Sequence, residues 1–160
     1  MFLDKKYILA NELVQKMGIH IANISMIAKS LEDYDDVFVK MGNCTFINTE
    51  SIELPNNLKE AIAANDFTDM SDKIPVTFIK AEHNLSVVTM KKSGIISEVT
   101  EIAGKKFYVF KKDFMEKTKD TILYVLDKEE TSECAEKNYI DGYTQIGTNK
   151  FLTWYNVGIN

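Results

Sequence analysis

The chain of 160 residues has no arginine; all 19 of its basic residues are lysine. Specific reading of guanine usually relies on arginine's bidentate fork, so this absence weighs against that kind of recognition. It also hints at AT-rich coding DNA, as in low-GC bacteria, their phages and plasmids. Proline (2) and glycine (7) are scarce, which argues against long flexible linkers. The two cysteines, Cys44 and Cys134, form no CxxC or Cys/His spacing. Neither a zinc site nor a disulfide framework is expected, and a reduced, cytoplasmic compartment is. No window approaches the roughly 18 apolar residues of a membrane helix, and no apolar run of signal-peptide kind follows Met1–Lys6.

Familiar catalytic patterns are missing as well. The chain has no glycine-rich phosphate loop and no GxSxG, HExxH or EF-hand pattern. His20 and His83 each lie beside a proposed turn, where capping or surface roles suffice. No upstream feature would lower the pKa of Cys44. Ser86 lies near His83, but no third group orients the pair. The expectation is a non-catalytic protein without cofactor or metal.

The apolar fraction of 45% and charged fraction of 27% are those of an ordinary globular chain. Its length suits one domain or two to three very small ones. Internal repetition favours the latter. Residues 38–47, 99–110 and 143–154 each show a β-prone run, a glycine turn (Gly42, Gly104, Gly147) and a second run opening near a phenylalanine (Phe46, Phe107, Phe151). That is the grammar of a β-hairpin.

The repetition extends upstream of the first two hairpins. Leu9, Leu13, Val14 and Met17 fall on one helical face, Gly18 suits a left-handed cap, and Ile24, Ile27 and Leu31 give a second helical face. Upstream of the second hairpin, Asn84 takes the place of Gly18, Leu85 that of Ile19 and Met90 that of Ile24. Ser86 is a good N-cap and Gly94 a good terminator. The acidic insert Glu32–Asp36 absorbs the longer spacing in the first copy.

Helix, tight turn, helix, hairpin: this order over residues 5–54 and 74–115 resembles the small winged helix-turn-helix DNA-binding modules of excisionases and MerR-type regulators. The resemblance implies an α+β fold of tandem winged modules. The expected division is a first acidic module with a following helix (residues 1–70), a basic second module (71–119), and a C-terminal hairpin or degenerate third module (120–160). Pro55 would open the helix after the first hairpin, and polar residues 65–72 would form the boundary. Residues 121–126 are compatible with helix or strand, and 131–137 with a short capped helix.

The net charge of −5 is unevenly spread. Residues 1–70 hold 6 Lys against 11 Asp/Glu, residues 71–119 hold 10 against 6, and residues 120–160 hold 3 against 7. On the winged-helix resemblance, the second helix of the basic module enters the major groove and the hairpin lies along the backbone. Lys91, Lys92, Lys105, Lys106, Lys111 and Lys112 would then neutralise phosphates of double-stranded DNA. Thr89, with Val88, would meet base edges or thymine methyls. In the first module, Asn23 suits adenine, but Met26 and Lys29 beside the acidic insert suit a protein partner or self-association better. The expected function is non-catalytic DNA binding or transcription regulation, of the kind a mobile element encodes. The rival is an acidic phage or mobile-element protein that inhibits or adapts a host protein.

Overall fold

The computed structural model describes residues 2–20, 22–24, 26, 34–117 and 120–157. Within them lie seven helices and three small antiparallel sheets. The first sheet gathers β1 (Tyr7–Leu9), β2 (Phe38–Met41) and β3 (Cys44–Asn48), in the order β1-β3-β2. Between β1 and β2 lie α1 (Ala10–Met17), helical residues at 22–24 and 26, and α2 (Tyr34–Val37). After the hairpin comes α3 (Asn56–Ala64).

The second sheet repeats this path. β4 (Lys73–Pro75) leads into α4 (Val76–His83) and α5 (Val87–Ser93), then β5 (Ile96–Ile102) and β6 (Lys105–Phe110), with sheet order β4-β6-β5 and α6 (Lys112–Lys117) following. The third has β7 (Asp120–Asp127), α7 (Lys128–Glu136), β8 (Gly142–Gly147) and β9 (Lys150–Val157), in the order β7-β9-β8. Each unit is thus a strand that runs straight into a helix and a hairpin whose last strand pairs with it. Residues 121–126, compatible with either state in sequence, form a strand.

The leading strands β1 and β4 correct one expectation. Leu9 is not on the α1 face but ends β1, opposite Phe46, and is buried. A three-residue strand is too short to show alternation, so it reads as part of the helix that follows. Pro75 ends β4, an edge strand, where proline is tolerated within a sheet.

The turn residues carry the local logic. Gly18 (φ 68°) and Asn84 (φ 54°) both take the left-handed conformation after their helices, and Gly94 (φ 74°) ends α5 in the same way. Ser86 caps α5, accepting a hydrogen bond from Thr89 N at 3.2 Å. The hairpin turns are less uniform than their shared glycine suggests. Gly42 is the first turn residue, whereas Gly104 is the second, after Ala103, itself at φ 50°. In the third hairpin Gly147 ends β8 beside a register shift, and Thr148-Asn149 make the turn without left-handed backbone. The equivalent of Phe46 and Phe107 is accordingly buried Leu152, not Phe151. α7 also starts three residues earlier than expected, at Lys128, capped by a reciprocal Asp127–Glu130 box.

One apolar cluster joins all three units: Leu9, Met41 and Phe46 from the first, Ile74, Ile79, Met90, Phe107 and Tyr108 from the second, Leu123 and Leu152 from the third. A second cluster packs α1 and Ile24 against Leu54 and Leu58 of the first unit. The polar stretch 65–72 is tethered rather than loose. Met70 is fully buried, and Thr68 N donates to Glu12 Oε1 at 2.7 Å. The hairpin tips are docked too. Asn43 N donates to Thr77 Oγ1 (3.0 Å), which donates to Asn43 Oδ1 (2.8 Å), and Asn11 Nδ2 donates to Ala103 O (3.3 Å).

Candidate nucleic-acid interface

α5 is the second helix of the one helix-turn-helix described in full. Its burial alternates with helical period: Val87 is half-buried, Met90 and Ser93 are buried, while Val88, Lys91 and Lys92 are exposed. The spacing i, i+3, i+4 places those last three on one face. Val88, an apolar residue 63% exposed, has no role in the core. Thr89 is half-buried, and its hydroxyl accepts from Ser86 Oγ at 3.1 Å, so the cap holds it at the rim of this face.

The structure gathers four of the six expected lysines near one end of the second unit. Lys111 N donates to Ile95 O (2.9 Å), directly after the α5 terminator Gly94, so Lys111 and Lys112 lie close in the chain's path to Lys91 and Lys92. All four are exposed. Lys105 and Lys106 are at the other end of β6, a distance of roughly 16–20 Å by strand rise. Lys106 is exposed and pairs across the hairpin with Glu101. Lys105 is half-buried, and its charge is felt by Cys44 of the first unit.

In the first unit Asn23 is exposed and Met26 is 70% exposed. Ile24 between them is buried, as Met90 is in α5. Lys29, Ile27 and Leu31 lie outside the described residues. Of the acidic insert, Asp36 is described: its carboxylate accepts from Ser51 Oγ, and its carbonyl accepts from Asn48 Nδ2 at 3.1 Å.

The third unit buttresses this helix pair. Its strand β8 lies beside α5 and its strand β7 beside α4. His83, at the end of α4, meets the backbone of Leu123: Leu123 N lies 3.2 Å from His83 Nδ1, which accepts when the ring is neutral. Burial is the largest influence on this imidazole and lowers its pKa, opposed by the contact of Nδ1 with Leu123 O at 3.2 Å. Sequence reasoning missed this contact, because nothing local links positions 40 residues apart.

Burial pushes the Cys44 thiol up to about 11, with Lys105 only partly offsetting it, so the thiol stays protonated. No group of three or more His, Cys, Asp or Glu side chains among the described residues is arranged to hold a metal. No described helix is long and apolar enough to cross a membrane.

The fold thus defines an α+β protein of helices and three small antiparallel sheets. No protein-family model matches the chain, and no curated protein matches it. A solved structure from work on CheP and CheQ, regulators that control transcription of the chemotaxis core genes cheVAW in Campylobacter jejuni, is similar in fold. The TM-score is 0.59 at 17% sequence identity, over 97% of this chain and 94% of that one. The likeness therefore extends across all three sheets.

Proposed function

We propose that this chain is a non-catalytic regulator of transcription that binds duplex DNA through tandem winged helix-turn-helix modules, with boundaries near residues 70 and 119. The observation that carries the reading is the outward face of α5, where Val88, Lys91 and Lys92 stand clear of a buried Met90. Lys111 and Lys112 extend the positive charge at the end of that helix. Lysines at such places neutralise phosphates and release counterions. Val88 is of the apolar kind that meets a thymine methyl, with Thr89 beside it for a base edge. The structural likeness to a protein from the CheP and CheQ work supports a regulatory role. Lys106 suits a flanking phosphate; Lys105, half-buried beside Cys44, is better assigned to the junction between units.

A second reading draws on the third unit. Its surface exposes Tyr139, Tyr143 and Tyr155 beside an α7 that carries Glu129, Glu130, Glu133 and Glu136. An acidic, aromatic surface of that kind suits a protein partner with basic character.

Duplex binding measured by fluorescence anisotropy across several salt concentrations tests the first reading. The expected result is a steep salt dependence, with affinity reduced at least 100-fold by Lys91→Glu with Lys92→Glu. Absence of duplex binding at low salt would overturn it in favour of the protein-partner reading.

A further inference from the structure

The contacts between the first two units are reciprocal. A constant offset of 66 residues carries β1 onto β4, α1 onto α4, and Gly18 onto Asn84. Under it Asn11 corresponds to Thr77, each being the second residue of its helix. In the hairpins, Gly42-Asn43 corresponds to Ala103-Gly104, Cys44 to Lys105, and Phe46 to Phe107. The tip of the first hairpin bonds to Thr77, and Asn11 bonds to the tip of the second. Phe46 meets Phe107 edge to face, ring centres 6.5 Å apart. Position i touches j of the other unit, j touches i, and equivalent residues meet each other. That is the contact pattern of an isologous dimer about a two-fold axis, here built within one chain.

The docking also decides what is left to face a duplex. Each hairpin tip is hydrogen-bonded to the opposite unit, the first to Thr77 and the second to Asn11. A Cβ at Gly42 would lie 2.6 Å from Phe78 N and closer still to Thr77 Oγ1. After the tight turns, α5 exposes Val88, Lys91 and Lys92, and residues 22, 23 and 26 of the first unit are exposed as well; a two-fold relation would set the two stretches in opposite directions. Their positions correspond: exposed Ala22 to exposed Val88, exposed Asn23 to half-buried Thr89, and exposed Met26 to exposed Lys92. The chemistry does not. One helix presents an amide and a thioether, the other two lysines and a valine.

Resting on the DNA-binding reading above, we infer that a single chain acts as an intramolecular pseudo-dimer. It occupies one duplex site whose two half-sites run in inverted order and differ in sequence. The half under α5 is held by lysine–phosphate contacts. The half under the helical residues at 22–24 and 26 is read by Asn23, whose amide matches the adenine edge. Ordinary helix-turn-helix dimers use two identical chains on a palindrome; this chain needs one copy and no palindrome.

The test is selection of bound sites from a random duplex library with the full chain, followed by stoichiometry from sedimentation of the complex. The expected result is one chain per duplex and a motif of two unlike arms in inverted order. Asn23→Ala should weaken binding to the selected site about 10-fold and erase adenine preference in one arm alone, with thermal stability unchanged because the side chain is exposed. Two chains on a palindrome, arms in direct repeat, or both arms indifferent to Asn23→Ala would overturn the pseudo-dimer and leave DNA binding intact. No salt-dependent duplex binding at all would overturn both.

Discussion

The first and second units follow one backbone path with opposite surfaces. Their buried positions agree pair by pair: Ile8 with Ile74, Leu9 with Pro75, Leu13 with Ile79, Ile24 with Met90, Phe46 with Phe107. Their exposed positions diverge, so residues 1–70 are acidic and residues 71–119 basic. Where burial itself differs, a neighbouring element accounts for it. Val14 is buried because α3 brings Leu58 against the first helix, whereas its counterpart Lys80 faces solvent. Packing constrains the path of a repeat and leaves its surface free to take a different partner.

The largest way to break the equivalence is at its axis. Phe46→Ala and Phe107→Ala should each cost about 3–5 kcal/mol, as loss of a buried phenylalanine does. Urea denaturation of the singles and the double should show less than additive losses, since the two rings share a contact. Additive losses would mean that the two positions act separately.

The hairpin glycines offer a sharper contrast. Gly42→Ala combines positive φ with a blocked approach to Thr77 and Phe78, and should cost about 2–4 kcal/mol. Gly104→Ala faces open space, so only its φ of 81° is strained, a cost nearer 1–2 kcal/mol. Equal losses would argue against docking of the first tip.

His83 distinguishes the second unit from the first, where the counterpart Met17 packs into an apolar cluster. The folded imidazole has a pKa below its ordinary 6.5, chiefly through burial. The unfolded chain thus binds the proton more readily, and the contribution to stability is present above pH 6.5 and lost as pH falls through the folded value. Melting temperature should fall between pH 7.5 and 5.5 by more in the native chain than in His83→Gln. Matching profiles would place the titrating group elsewhere.

The smallest effect expected is a gain. Met26→Lys gives the first unit the charge that Lys92 gives the second, and should raise duplex affinity about three- to five-fold at low salt, with a salt slope steeper by about one. An unchanged slope would show that this position stands away from the phosphates.

The sequence by itself determined the local conformations. Gly18, Asn84 and Gly94 sit where a helix must end in left-handed backbone, Ser86 where a helix must be capped, and the apolar spacing of α1 and α5 marks the buried faces. Each of these demands is met within a few residues, so it is written in neighbouring letters. Tertiary structure alone decided the rest. β1 and β4 are strands only because β3 and β6 pair with them, and Leu9 joined a sheet that its helical spacing concealed. Thr77 holding Asn43 and Asn11 holding Ala103 join residues 34 and 92 apart. A small polar side chain at the second position of a helix has many equivalent uses until folding brings a hairpin to it. That meeting depends on the packing of the whole chain, which no local pattern contains.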